Sequence, residues 1–232
     1  MRKIRYQPPL LVLVGLALCA ACGGDTSAPG QGAASEAVEA AAPENPLRVI
    51  VRPDPVEALP REATPISLDR DLAATLAEEL DRPLELVPVE DYTEMIDRLL
   101  ADEADLIAAS MTVTSDREER VIFSAPYAYV DEVAVVPRDG PDIDEVEDLA
   151  QLDICVRAGS SYTDTLEALK EDLPELSHRV LPPTTNTERV IERVAEGDCQ
   201  ATVADEPYWL SMKPIFQQLR APLTVAENRP IA

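Results

Sequence analysis

Residues 109–120 read ASMTVTSDREER. Three small hydroxyl side chains, Ser110, Thr112 and Thr114, stand just before Arg117. A guanidinium flanked by hydroxyls and backbone amides can hold a carboxylate through two parallel charge-assisted hydrogen bonds. The surrounding charge makes this run informative. The chain has 44 acidic against 20 basic side chains and a net charge of −24. A field of that sign repels anions at long range, so an anion is captured only where a local cation is supplied. The other reading of Arg117, a solvated ion-pair partner on a helix, carries little energy and no specificity.

Two further polar groups complement the first. Gly159, Ser160 and Ser161 form a small polar turn, and Asp205 precedes Glu206-Pro207. Asp205 could bind an ammonium or could cap the helix that Pro207 opens. Ser160 and Ser161 could contact a ligand or simply cap and turn. Tyr92 offers an aromatic face for the apolar part of a ligand. A carboxylate holder, an ammonium holder and an aromatic face together describe a site for a zwitterion such as an amino acid.

These residues need elements to position them. LRVIV (47–51), LELVPV (84–89) and DLIAA (105–109) read as short apolar strands. Leu68, Leu72, Leu76 and Leu80 recur every four residues, a helical stripe. Asp91 with Glu94 predicts a capping box ahead of Met95, Ile96, Leu99 and Leu100. After the extended run VIFSAPYAYVDEVAVV the alternation starts again. DICVRA (153–158), HRVLP (178–182), QATVA (200–204) and LTV (223–225) predict strands. Ser161 is the predicted cap of a helix bearing Leu166 and Leu169. Val190, Ile191 and Val194 line another, stopped by Gly197.

Strands alternating with amphipathic helices predict an α/β fold of two lobes, each a mostly parallel sheet flanked by helices. The predicted first lobe covers residues 46–130 and the second 131–227, with 228–232 beginning a return to the first. In open parallel sheets, ligands bind beyond the carboxyl ends of the strands. Arg117, Ser160 with Ser161, and Asp205 each follow such an end, and the crossing near Tyr127–Asp131 is the predicted hinge.

The remaining features bound the function. Arg2, Lys3 and Arg5 precede an apolar run, Pro9 to Ala21, so residues 1–21 read as an export signal rather than a spanning helix. Leu18-Cys19-Ala20-Ala21-Cys22 resembles a lipobox, with Cys22 the lipid attachment site and Cys19 departing from the usual aliphatic residue. An ordinary secretory cleavage is the alternative. Residues 22–45 then form a lipidated cysteine and a tether too poor in large apolar side chains to fold alone. This implies a periplasmic protein anchored to a Gram-negative type of envelope membrane.

Cys155 and Cys199 remain after Cys19 and Cys22 are assigned. An even number in an oxidising compartment favours a disulfide between neighbouring strands, with two buried thiols as the alternative. With one histidine, His178, no metal site or cofactor is expected, and no triad or nucleophile elbow appears. The acidity argues against nucleic acid as a partner. A monomer that binds a small molecule, and no enzyme, is the expectation.

SMTVTSDREERVIFSAPY resembles the signature of bacterial extracellular solute-binding proteins of family 3, a Gly-Met-Ser/Thr-Ile-Thr-x-x-Arg segment followed by Phe-Ser-x-Pro-Tyr. The resemblance implies a type II periplasmic-binding fold and a ligand carboxylate on Arg117, helped by Thr112 and by Ser110, which replaces the usual glycine. RAGSSYTDTL is similar to the family's second-lobe turn, which implies contacts from Ser160 and Ser161. GDCQATVADEP implies Asp205 as the ammonium partner, and Tyr92 matches the aromatic platform. The family's aromatic residue after the first strand has no counterpart in VRPDPVEALPREATP. TNTERVIERVAEGDCQATVADEPYW and ENRPIA resemble the solute-binding module of membrane-bound lytic murein transglycosylases. Such a module would precede a separate catalytic domain, and this chain is then expected to be a fragment. The implied partner is an ABC permease or a peptidoglycan-associated one.

Overall fold

The computed structural model describes residues 45–53 and 65–232. The predicted signal, Cys22 and most of the tether lie outside the described residues. Strands β1 (Leu47–Val51), β2 (Leu84–Pro88) and β3 (Leu106–Ala108) form a parallel sheet in the order β2-β1-β3. β1 is the central strand and almost fully buried, which explains its continuous apolar run. Helix α1 (Pro65–Glu79) crosses from β1 to β2, and α2 (Glu94–Leu100) from β2 to β3. The short α3 (Ser115–Glu118) follows β3.

Two local expectations need correction. The leucine stripe of α1 does not face the sheet. Leu68, Leu72, Leu76 and Leu80 are 47, 41, 40 and 49 % exposed, whereas Asp69, Ala73 and Ala77 are buried. Small side chains let α1 sit close on β1 and β3, and Leu72 and Leu76 line an apolar groove with Leu99, Ile107 and Phe123. The capping box is absent as well. Asp91 accepts from the backbone N–H of Thr93 (2.9 Å) and from its hydroxyl (2.5 Å), an Asx turn that starts α2 without Glu94 reaching back.

The second sheet has five strands in the order β6-β5-β7-β4-β8. β5 (Ile154–Arg157), β6 (His178–Leu181) and β7 (Ala201–Asp205) are parallel. The long strands β4 (Ala128–Pro137) and β8 (Leu219–Ile231) run antiparallel to their neighbours. The region 219–231, of which only 223–225 was expected to be extended, is therefore one continuous strand. β4 and β8 pair side by side where the chain passes between the sheets, with Ala128 opposite Ile231 and Val130 opposite Arg229. Their register shifts between Val130 and Glu132.

Helix α4 (Ser161–Asp172) follows β5, α5 (Thr187–Ala195) follows β6 and α6 (Glu206–Met212) follows β7. Both faces of this sheet carry a packed core. One is built on Val135, Ile191, Trp209 and Met212, the other on Val136, Ile154, Leu166 and Leu176. Gly197, at φ +79°, ends the α5 segment in the left-handed conformation that glycine adopts freely. Cys155 and Cys199 are joined across the β5–β7 pair, with Cα atoms 5.9 Å apart.

Candidate functional site

All the polar residues singled out from sequence lie at the carboxyl ends of parallel strands. From the first lobe, β3 leads to Ser110, Thr112 and Arg117, and the turn after β2 presents Tyr92. From the second, β5 leads to Ser160 and Ser161 and β7 ends on Asp205. These seven residues line one cleft, together with Arg52, Arg157, Tyr162 and Thr187.

The cleft is closed by direct bonds between its walls. Arg117 donates to the carbonyl of Thr112 (2.6 Å) on its own lobe and to that of Gly159 (2.9 Å) on the other. The Thr112 hydroxyl donates to Ser161 Oγ at 3.1 Å. Gly159, at φ +74°, approaches Thr93 so closely that a Cβ would lie 2.6 Å from the Thr93 methyl. The space left among the eleven lining residues is about 20 Å³, room for roughly one water molecule. It adjoins a larger cavity of about 340 Å³ that shares Arg52, Tyr92, Arg157 and Thr187 and continues to Asn186, Glu188 and Tyr208.

The hydroxyls are mostly committed to the protein. Ser161 donates to Glu132 Oε1 (2.9 Å), and Thr165 donates to Oε2 of the same carboxylate (2.6 Å). Glu132 is fully buried and has Arg229 at 3.6 Å. Ser160 donates to the Arg157 carbonyl (2.8 Å), and it, rather than Ser161, is the N-cap residue of α4. Ser110 adopts φ +47°, a left-handed conformation that explains why glycine suits this position. Its hydroxyl contacts both oxygens of Asp69 (2.9 and 2.8 Å), and Tyr127 also donates there at 2.8 Å.

Asp205 differs. Its backbone N–H donates to the Tyr162 hydroxyl (3.1 Å), but its side chain does not cap α6, and Oδ1 is buried without a hydrogen-bond partner. Burial, then the nearby Glu132 charge, push its carboxyl up to about 6. Such a group gains most from a cation placed against it. Tyr92 is buried, its hydroxyl reaching the Ala109 carbonyl (3.4 Å), and its ring faces Arg157 at 4.0 Å and Arg117 at 5.9 Å.

Two arginines were not anticipated. Arg52 directly follows β1, where the expected aromatic residue is missing, and pairs with Asp69 at 3.5 Å. Arg157 is the last residue of β5. The signal that would have found them is the same strand-end rule that located Arg117 and Asp205. Arg157 sits inside a run that reads as strand, and Arg52 opens the loop just after one.

Residues 47–210 match the family described as bacterial extracellular solute-binding proteins, family 3. Membrane-bound lytic murein transglycosylase F of Aliivibrio fischeri is 32 % identical over 170 residues, covering 72 % of this chain and 34 % of that protein. The protein of the same name from Desulfosudis oleivorans is 32 % identical over 169 residues, covering 73 % and 37 %. The chain thus spans about a third of the length of these relatives. Among solved structures, an ancestral arginine-binding protein bound to arginine superposes with a TM-score of 0.69 at 22 % identity, covering 82 % of this chain and 84 % of the other. An ancestral amino acid-binding protein, a precursor of cyclohexadienyl dehydratase, gives 0.66 at 27 % identity over 81 % of each chain. Two α/β sheets facing each other across a cleft built from strand ends are the architecture of those type II binding proteins, and with a match over 47–210 this chain belongs to the bacterial extracellular solute-binding proteins of family 3.

Proposed function

We propose that the chain captures a small zwitterionic solute, an amino acid or a peptide-like molecule, between its two lobes. Arg117 holds the carboxylate and Asp205 the ammonium, with Thr112, Ser110, Ser160 and Ser161 shaping the head-group pocket and Tyr92 its floor. The observation that carries this reading is the buried, unpartnered Asp205 oxygen facing the cleft that Arg117 spans. Closed as it is, the cleft has to open at the Arg117–Gly159 and Thr112–Ser161 contacts before a solute enters. The solute then favours closure because only the closed form brings both lobes to it. The paired strands β4 and β8, with their irregular register near Val130, are where the bending takes place. Cys22 would anchor the protein by lipid to the envelope, on the periplasmic side, and delivery to an ABC-type permease would follow.

The test is calorimetry on the 232-residue chain with a panel of amino acids. Arg117→Ala is expected to weaken binding at least about 100-fold, and Arg117→Lys nearly as much, because lysine lacks the planar fork. Unchanged affinity in the alanine variant would overturn the carboxylate role.

A second reading rests on a specific observation, the identity with murein transglycosylases over about a third of their length. On it, the same cleft is the sensing module of a peptidoglycan-cleaving enzyme and its ligand regulates rather than feeds. The reading frame downstream of Ala232 separates the two. A transglycosylase domain in that frame supports the regulator, and adjacent permease genes support the transport receptor.

A further inference from the structure

Assigning a zwitterion's head group to Arg117 and Asp205 leaves two cations in the cleft. Arg52 and Arg157 line both the small head-group space and the larger cavity beside it, so they stand at the neck between the two. Arg52 is ion-paired with Asp69 at 3.5 Å, a carboxylate already engaged by Ser110 and Tyr127, and Asp205 of the same cleft feels the charge of both Arg52 and Arg157. Arg157 has no ion-pair partner among the described residues. Its guanidinium rests on the Tyr92 ring at 4.0 Å, and its Nε, like that of Arg52, is buried without a hydrogen-bond acceptor. Burial, with Arg52 and Arg117 close by, pulls the Arg157 guanidinium below its usual value. A half-buried cation resting on an aromatic face, with Asp205 close enough to feel its charge, gains from a further anion placed against it.

The same neck carries opposite charge farther out. Glu90 and Glu188 line the outer cavity. Burial raises the Glu188 carboxyl, and its Oε2 has no partner. A side chain leaving the head group therefore meets guanidinium first and carboxyl later. The order selects by length: a short side chain ends among the arginines.

We infer that the preferred solute is an α-amino acid bearing a second carboxylate a short distance from the first, with that carboxylate seated between Arg157 and Arg52 at the neck. This rests on the solute-binding reading of the cleft and names its substrate class. Free glutamate or aspartate and the acidic end of a small peptide share this chemistry.

Calorimetry on the 232-residue chain decides it, with L-glutamate, L-aspartate, L-glutamine, L-arginine and the dipeptide alanyl-glutamate as probes. Glutamate, aspartate or the dipeptide is expected to bind at least about tenfold more tightly than glutamine and arginine, and the dipeptide arm tells a free amino acid from a peptide end. In Arg157→Gln the glutamate-to-glutamine affinity ratio should fall about tenfold or more, with Arg157→Lys recovering part of it. A purely packing role for Arg157 would move both affinities together and leave the ratio intact, which counts against the inference. Glutamine or arginine binding as tightly as glutamate to the unaltered chain overturns the acidic preference while leaving solute binding standing. Failure of every amino acid and the dipeptide to bind overturns both.

Discussion

Helix α1 of the first lobe and helix α5 of the second each carry an apolar stripe at helical spacing, yet only α5 buries it. Val190, Ile191 and Val194 of α5 enter the core around Cys155, Trp209 and Met212. Leu68, Leu72 and Leu76 of α1 stay about 40 % exposed or more, and the sheet is met instead by Ala73, Ala77 and Asp69 one position on. The first sheet has three strands, the second five with cores on both faces. Periodicity reports that a helix forms. Which stripe is buried depends on how closely the helix can approach its sheet, and two alanines one turn apart allow a closer approach than two leucines.

The largest consequence concerns stability. Leu166 is fully buried in the second lobe, and Leu166→Ala should cost about 2–5 kcal/mol. Leu76→Ala, on the exposed stripe, should cost under about 1 kcal/mol. Urea unfolding of the two variants measures the gap. Equal costs would mean that α1 buries its leucines in solution and that the contrast between the lobes is wrong.

Next comes the cross-link, which only the second lobe has. Cys155 and Cys199 close a loop with a sequence separation of 44, and a bridge of that span contributes about 2–4 kcal/mol. Reduction should destabilise the protein by that amount. Amide exchange should locate the loss in β5 and β7 and leave β1 and β3 protected as before. Faster exchange in both lobes alike would show that they unfold as one cooperative unit.

These contrasts also show what was legible beforehand. The strand ends at Ala109, Ala158 and Ala204 could be read because short apolar runs stop at polar residues, and the structure brings the residues after them into one cleft. The hydroxyls' true partners could not be read. Ser161 and Thr165 serve Glu132, 29 and 33 positions away in sequence, and Ser110 serves Asp69 on α1. Such pairings depend on how elements pack, which local pattern does not encode. Arg157 ends an apolar strand, where a charged last residue reads as a strand edge rather than as a cleft wall, and Arg52 follows one, where it reads as the start of a loop.

The second-lobe wall of the cleft also carries a pH response. Burial pushes the Asp205 carboxyl up to about 6, well above the 3.8 of an ordinary aspartate. The folded state thus holds the proton more tightly than the unfolded chain, and that contribution to stability is complete below about pH 4. It is lost as pH rises through about 6, an effect of up to about 3 kcal/mol. Asp205→Asn should abolish this part of the pH dependence in thermal unfolding. Ammonium binding has the opposite slope, since it needs the ionised form. Amino acid affinity should rise from pH 5 to 7, with proton release on binding near pH 5.5. A flat affinity profile would remove Asp205 from the head-group site.

The smallest expected effect tests how tightly the two walls meet. Gly159 combines a left-handed φ of +74° with a Cβ position 2.6 Å from the Thr93 methyl and 3.6 Å from the next nearest Thr93 atoms. Gly159→Ala therefore meets two penalties. The backbone strain, about 1 kcal/mol, belongs to the second lobe alone and is present whether the cleft is open or shut. The steric clash exists only when the lobes close. Affinity for the solute should fall about tenfold, and small-angle scattering with saturating solute should show a larger radius than the unaltered protein reaches. Thr93→Ser removes the offending methyl and leaves the strain. Combined with Gly159→Ala it should restore most of the affinity and the compact radius but none of the lost stability. A double variant as weak in binding as Gly159→Ala alone would assign the whole effect to the strained turn and show that the lobes do not meet at this point when the solute is bound.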